Sequence, residues 1–119
     1  MTIYFSHKTI GDYKQDFYQP LKELLPQFNF VFPHEISDDP YNSRALFASK
    51  KCDLVLAEMS EPSTGVGIEL GWANAYGIPI VCCFRTGLKM TRSLNSVTKK
   101  FIAYVSMADL ADKLGNLAK

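Results

Sequence analysis

Five short apolar runs, separated by segments of helical pattern, constrain the fold of this 119-residue chain more than any other feature. The runs are residues 2–6 (TIYFS), 28–32 (FNFVF), 53–57 (DLVLA), 78–84 (IPIVCCF) and 101–105 (FIAYV). Such alternation is typical of parallel strands connected by helices that cover both faces of the sheet. The sequence therefore predicts an α/β fold, a flavodoxin- or Rossmann-like three-layer sandwich with a five-stranded parallel sheet.

Helical patterns occupy the intervals between these strands. The predicted helices are residues 12–25, 43–51, 67–76 and 107–117. Pro20 is expected to kink or divide the first helix, and Gly77 is expected to close the third. Ser106 and Asp109 have the spacing of a capping box, which predicts the start of the last helix.

Right-handed crossovers and short connections favour the strand order 2-1-3-4-5. In that order the chain reverses direction between strands one and three, and ligands bind beyond the carboxyl ends of the strands at such a point. The two segments predicted to meet there are FSHKTIGD after strand one and EMSEPSTGVGIE after strand three. We therefore expect the functional site at these two loops.

Composition narrows the class of protein. Hydrophobic residues make up 47% of the chain and aromatics 13%, which predicts one packed domain over residues 1–119. The formal charge of +1 and the absence of a basic run argue against a nucleic-acid polymer or a membrane as partner. There is no apolar stretch long enough to span a membrane and no signal-peptide pattern. The cysteines lack metal-site spacing, which predicts reduced thiols and a cytoplasmic location: Cys52, Cys82 and Cys83.

The loop after strand three carries groups that suit an anion. Gly65 and Gly67 allow close approach of the backbone, and Glu69 is predicted to lie in the first turn of the following helix. Free N–H groups and the helix dipole at this point favour both a bound phosphate and an ionised carboxylate. One of three hydroxyl residues is expected to cap the helix: Ser60, Ser63 or Thr64. An ordinary helix start with turn residues explains the glycines equally well.

The segment DLVLAEMSEPSTGVGIELGWA, residues 53–73, resembles the signature of the nucleoside 2-deoxyribosyltransferase superfamily, and most closely its 2'-deoxynucleoside 5'-phosphate N-hydrolase branch. The resemblance implies that Glu69 is the catalytic nucleophile, that Ser63 binds phosphate and that Tyr4 lies near the sugar. The same loop is expected to supply the remaining phosphate contacts: Ser60, Gly65, Val66 and Gly67. The implied activity is cleavage of the N-glycosidic bond of 2'-deoxynucleoside 5'-monophosphates, or deoxyribosyl transfer between bases, without a metal or organic cofactor.

The loop after strand one departs from the family pattern. Where the family has a small Gly-Ser stretch and often an arginine, this chain reads SHKTIG. Ser6, His7 and Lys8 are therefore expected to serve the phosphate instead, with Lys8 as a point charge. A plain solvent-facing role for His7 is the alternative.

The family also places an acidic residue about eight positions before the aspartate of strand three, and this chain has Ala45 there. Asp38, Asp39 or Asn42 could substitute from the preceding loop. Because of this departure, a non-catalytic nucleotide-binding module remains an alternative interpretation of the protein. A second alternative is an NAD-cleaving domain of the TIR type, because IYFSHK is similar to the start of such domains.

Residues 85–97, RTGLKMTRSLNSV, form a polar and basic segment. By resemblance this region completes the active site of a neighbouring subunit in a homodimer, which implies contributions from Ser93, Asn95 and Ser96. A solvated loop with one helical turn is the alternative. The sequence does not determine base preference, or hydrolysis against transfer.

Overall fold

A computed structural model describes residues 1–118 and contains one five-stranded parallel sheet. The strand order is β2-β1-β3-β4-β5, which confirms the predicted order 2-1-3-4-5. β1 lies between β2 and β3 and pairs with both of them. The strands are β1 (Thr2–Ser6), β2 (Asn29–Val31), β3 (Leu54–Glu58), β4 (Ile80–Arg85) and β5 (Phe101–Tyr104).

Four α-helices and two shorter helical turns connect the strands. The helices are α1 (Gln19–Leu24), α2 (Ser43–Ala48), α3 (Thr64–Ala75) and α4 (Met107–Leu117). A π-turn, Lys14–Tyr18, leads directly into α1, and a 3₁₀ turn, Arg92–Ser96, precedes β5. Pro20 therefore stands where the first predicted helix divides, because proline has no N–H for the helical ladder. The N–H of Gln19 bonds back five residues, to the carbonyl of Lys14.

Alternate residues of each strand enter two separate cores, one on each face of the sheet. Ile3 and Phe5 pack with α1 and α4, whereas Tyr4 packs with α2 and α3. The same alternation sends Leu56 to the first core and Ala57 to the second. This arrangement confirms the three-layer sandwich and places β1 residues of even number on the α3 side.

Two helices begin or end away from their predicted bounds. α2 ends at Ala48 rather than at residue 51, because Lys50 has a φ of 61°, outside the helical region. α3 begins at Thr64 rather than at Gly67, because the Ser63 side chain accepts a hydrogen bond from the N–H of Val66 and caps the helix.

The earlier start of α3 corrects the placement of Glu69. This residue is the sixth of the helix and lies in its second turn, not in the first as predicted. The helix dipole acts mainly within the first turn. Another source must therefore orient and stabilise the Glu69 carboxylate.

The remaining helix boundaries agree with the sequence. Gly77, with a φ of 74°, follows the end of α3, a conformation that glycine adopts readily. The Ser106 hydroxyl accepts from the N–H of Asp109 at 3.1 Å and caps α4. None of the helices within residues 1–118 has the length and apolar character needed to cross a membrane.

Candidate functional site

A cavity of about 600 Å³ opens beyond the carboxyl end of β1, between the start of α3 and the loop after β2. It lies at the predicted point of chain reversal. No lysine or arginine of the described chain lines it. Its wall consists of Tyr4, His7, Thr9, Tyr13, Pro33, His34, Asp38, Pro40, Tyr41, Ser43, Ser63, Gly65, Val66, Ile68, Glu69 and Trp72.

Both carboxylate oxygens of Glu69 are held by hydroxyl groups of β1. The Tyr4 hydroxyl donates to Oε2 at 2.5 Å, and the Ser6 hydroxyl donates to Oε1 at 2.7 Å. Tyr4 and Ser6 are two residues apart on one strand, so their side chains point to the same face of the sheet. The carboxylate is thereby fixed in one orientation towards the cavity.

The Tyr4 phenol remains protonated beside this carboxylate. Burial, followed by the negative charge of Glu69 and the hydrogen bond to it, raises the pKa of Tyr4 well above its ordinary value of 10.0. The protonated phenol donates its hydrogen to Glu69. The pair therefore presents a carboxyl group in one orientation, and a carboxylate is a side chain that can act as a nucleophile.

The start of α3 forms a second part of the cavity. Ser63 and Gly65 line it, together with Val66. The first N–H groups of a helix have no partner within the helix, and they attract anions. The Ser63 hydroxyl accepts from the Val66 N–H at a distance of 3.5 Å, so its own proton is available to a ligand.

A buried hydrogen-bond chain supports the opposite wall. His7 Nδ1 lies 3.0 Å from the Lys8 carbonyl, which can only accept, so this nitrogen carries the proton. His7 Nε2 then accepts from the Tyr18 hydroxyl at 2.6 Å, and Tyr18 accepts from the His34 backbone N–H at 3.3 Å. Burial lowers the pKa of His7 below its ordinary value of 6.5. The loop after β1 is thus tied to the loop after β2.

The structure does not bring three of the predicted phosphate residues to the cavity. Lys8 points away and lies 3.5 Å from the Glu61 carboxylate. The Ser60 hydroxyl donates to Glu58 and accepts from the Arg85 N–H, which ties the loop to β4. Gly67 lies inside α3 and does not line the cavity.

Ser6 and His7 do reach the site, in roles that differ from the predicted phosphate contacts. The Ser6 hydroxyl is buried and committed to Glu69. The His7 side chain is buried in the wall, so a solvent-facing position is wrong. Glu58 points to the opposite face of the sheet, where it accepts a hydrogen bond from the Tyr104 hydroxyl.

The three residues considered as substitutes for an acidic group at Ala45 lie in different places, and only Asp38 lines the cavity. Ala45 is exposed and lies outside the cavity wall. Asp38 lines the cavity, whereas Asp39 does not. The Asn42 side chain accepts from the Ala45 N–H at 3.1 Å and caps α2. Within one chain, the residues predicted to serve a partner subunit also lie outside the cavity: Ser93, Asn95 and Ser96.

Sequence reasoning missed several residues of the site. Ser43 faces the cavity from α2, and Tyr13, Tyr41 and Trp72 supply aromatic walls. His34 also lines it, from the loop after β2. Nothing in the local pattern of residues 41–43 distinguishes a wall residue from a turn residue.

Comparisons with known proteins extend over most of the chain. It is 32% identical over 100 residues to the 5-hydroxymethyl-dUMP N-hydrolase of Danio rerio, covering 71% of this chain and 69% of the relative. It is 48% identical over 48 residues to the enzyme of the same name from Mus musculus, covering 40% of this chain but only 28% of that relative. The structure of the CMP N-glycosidase BcmB of Clostridium botulinum has a TM-score of 0.63 at 22% identity, covering 98% of this chain and 99% of that one. A scan against protein-family models finds no match.

The sheet order, the carboxylate at the point of chain reversal and the relatives agree on one class of protein. The chain belongs to the family of the 5-hydroxymethyl-dUMP N-hydrolases. The structural neighbours share the fold over nearly the whole chain, at identities that inform on the fold alone.

Proposed function

We propose that this protein is an enzyme that cleaves the N-glycosidic bond of 2'-deoxynucleoside 5'-monophosphates, with Glu69 as nucleophile. The observation that carries the proposal is the Glu69 carboxylate, oriented at the cavity by the hydroxyls of Tyr4 and Ser6. The names of the relatives support the same type of bond. Deoxyribosyl transfer to a second base uses the same first step.

The geometry suits a two-step displacement. One Glu69 oxygen attacks C1' of the sugar, the C1'–N bond breaks, and its electron pair leaves with the base, which takes up a proton. A water molecule then attacks C1' of the glycosyl–enzyme ester, loses a proton and releases the sugar phosphate with the Glu69 carboxylate restored. Tyr4 and Ser6 hold the carboxylate in position throughout, and a fixed attacking group lowers the entropic part of the barrier.

The two ends of the cavity suit the two ends of a nucleotide. The 5'-phosphate is placed at the start of α3, where Ser63 and Gly65 lie beside unpaired helix N–H groups. We assign the base to the aromatic side chains of Tyr13 and Trp72, which line the same cavity. No metal or organic cofactor takes part in either step of this mechanism.

The absence of a lysine or arginine from the cavity wall of the described chain supports a homodimer. A partner's basic segment, residues 85–97, would supply positive charge near the phosphate, and with it Ser93, Asn95 and Ser96. The proposed location is the cytoplasm, in keeping with three free cysteines that are all buried and unpaired. Sedimentation equilibrium measures the subunit number, and a monomer would contradict the shared site.

The activity is tested by release of free base, measured by chromatography. The panel contains deoxynucleoside and ribonucleoside monophosphates, deoxynucleosides and NAD, each with and without a second free base as acceptor. Wild type is compared with Glu69→Gln, which keeps the size of the side chain and removes its charge. Glu61→Gln is the matched control, because Glu61 is an exposed carboxylate outside the cavity.

We expect base release from deoxynucleoside monophosphates with wild type and Glu61→Gln, and a loss of at least a thousandfold with Glu69→Gln. Formation of a new nucleoside in the presence of an acceptor base identifies a transferase. Release from NAD alone would instead establish the TIR-type activity. No release from any compound by a folded protein that still binds nucleotides would establish a non-catalytic module, in line with the departure at Ala45.

A further inference from the structure

Ser43, the first residue of α2, carries a hydroxyl group without a hydrogen-bond partner among residues 1–118. The residue has 0% of its surface exposed and lines the same cavity as Glu69. Buried hydroxyl groups are nearly always paired, and an unpaired one destabilises the folded state. This hydroxyl therefore has a bonding capacity that only a molecule in the cavity can satisfy.

Ser43 lies beside the group that holds the nucleophile. It acts on the Tyr4 phenol, whose pKa it lowers against the larger upward effects of burial and Glu69. The contact between Ser43 and Tyr4 lacks the geometry of a hydrogen bond, so the Ser43 hydroxyl stays unpaired. The Tyr4 hydroxyl is 2.5 Å from Glu69 Oε2, so Ser43 and the Glu69 carboxylate both lie beside the same phenol.

The proposed function assigns the phosphate to Ser63 and Gly65 and the base to Tyr13 and Trp72, all of which line the same cavity as Ser43. The sugar of a nucleotide joins its phosphate to its base and carries the alcohol groups. Ser43 offers one neutral O–H that both donates and accepts, so it can pair with such an alcohol.

We propose that Ser43 binds a hydroxyl group of the substrate's sugar and selects for its presence, an inference that rests on the proposed function. A site that bonds a substrate hydroxyl discriminates strongly against an analogue without it, because the protein group is then left unpaired. The contact sets the position of the sugar ring relative to the Glu69 carboxylate. It also distinguishes Ser43 from Ala45, which the sequence pattern aligns with the family's acidic position but which is exposed.

The test measures nucleotide affinity by titration calorimetry in the catalytically inactive Glu69→Gln background, with and without Ser43→Ala. The ligands are the 2'-deoxy, 2',3'-dideoxy and ribonucleoside 5'-monophosphates of uracil, cytosine, adenine and guanine. Ser49→Ala is the matched control, because Ser49 is an exposed serine at the end of the same helix and its hydroxyl donates to the Leu46 carbonyl.

We expect Ser43→Ala to weaken binding of the deoxynucleotide about five- to tenfold and to leave the dideoxynucleotide unchanged, which assigns the contact to the 3'-hydroxyl. A loss confined to the ribonucleotide would assign the contact to the 2'-hydroxyl and overturn the proposal, because the proposed 2'-deoxynucleotide substrate lacks that group. An equal loss for all three ligands, or no loss for any, overturns the Ser43 contact alone. Failure of every nucleotide to bind overturns both this inference and the proposed function.

A stability measurement separates a ligand role from a structural one. Because the Ser43 hydroxyl has no partner in the free protein, Ser43→Ala should leave the midpoint of thermal unfolding unchanged or raise it. A lowered midpoint together with a uniform loss of affinity would show that the hydroxyl is part of the internal structure. Ser43→Cys, which keeps a side chain of similar size with a poor hydrogen-bond donor, should reproduce the affinity pattern of Ser43→Ala.

Discussion

At the scale of single residues, the orientation of one carboxylate depends on two hydroxyls of β1. Tyr4 and Ser6 each bond one oxygen of Glu69, at 2.5 and 2.7 Å. Hydrogen bonds to a charged acceptor are stronger than those between neutral groups. The resemblance implied that Tyr4 lies near the sugar, but the part of Ser6 in holding the carboxylate emerges only from the folded chain.

The first prediction concerns Tyr4→Phe. Removing this hydroxyl leaves Glu69 Oε2 without its donor, and kcat for base release should fall about 10- to 100-fold. Tyr41→Phe is the control, because the Tyr41 ring also lines the cavity, 5.8 Å from the ring of Tyr4, and makes no bond to Glu69. Equal kinetic effects of the two substitutions would contradict a specific role for the Tyr4 hydroxyl.

The second prediction concerns pH and His7. Its folded pKa lies below the ordinary value of 6.5, so the unfolded chain binds a proton first as the pH falls. The contribution of His7 to the free energy of unfolding should therefore be constant above about pH 6.5. As the pH falls below that value, the free energy of unfolding should decrease until the pKa of His7 in the folded protein is passed. His7→Gln should flatten this decrease in urea titrations between pH 7.5 and 5.

The control for that titration is His34→Gln, which removes the other histidine of the cavity wall. His34 bonds to Tyr18 through its backbone N–H, which the substitution keeps. If the free energy of unfolding still decreased at low pH in His7→Gln but no longer did so in His34→Gln, the prediction for His7 would be contradicted.

At the scale of elements, the start of α3 has both a structural and a proposed functional role. Its start at Thr64 is fixed by the Ser63 cap, and the same residue faces the cavity. The cap adds a turn before the predicted start, which moves Glu69 from the first turn to the second. The hydroxyls of β1, rather than the helix dipole, then control the carboxylate.

The third prediction compares two helix caps. Ser63→Ala and Ser106→Ala each remove a side-chain cap, so each should lower the free energy of unfolding by about 1 kcal/mol. Only Ser63→Ala should reduce the preference for a nucleoside monophosphate over the nucleoside, measured as a ratio of kcat/KM. If Ser63→Ala kept the preference for the monophosphate, Ser63 would act only as a helix cap and the phosphate contact would be contradicted.

At the scale of the whole molecule, the sheet separates one core from the other. The core of α2 and α3 lies beneath the cavity, and the core of α1 and α4 borders it through Tyr18, which bonds the wall residue His7. None of the described residues of α4 lines the cavity, so the packing of this helix is expected to serve stability. Leu114 of α4 belongs to the core of α1 and α4 and is fully buried.

The fourth prediction is that Leu114→Ala lowers the free energy of unfolding by about 2–5 kcal/mol and leaves KM unchanged well below the unfolding temperature. Leu117→Ala is the control on the same helix, since Leu117 is 42% exposed, and it should change stability by less than about 0.5 kcal/mol. A raised KM in Leu114→Ala would show that the two faces of the sheet are coupled.

The order of strands and helices was determined by the sequence, because the signals that carry it are local. Periods of two and of about 3.6 residues, Pro20, Gly77 and the cap at Ser106 each act within a few residues of the chain. The parallel order then followed from the handedness of the crossovers, and with it the end of the sheet where the site lies. The motif around Glu69 could be recognised in the sequence because its residues are contiguous in the chain.

Only the tertiary structure decided which side chains meet in that site. The register of β1 beside β3 and the side on which α3 packs turn Ser6 to Glu69 and leave Lys8 with Glu61. Shifting a strand by one residue would exchange its two faces, and no local pattern records that choice. The burial of Ser43 and His7 likewise depends on residues far away in the chain, so their surroundings exist only once the sheet has formed.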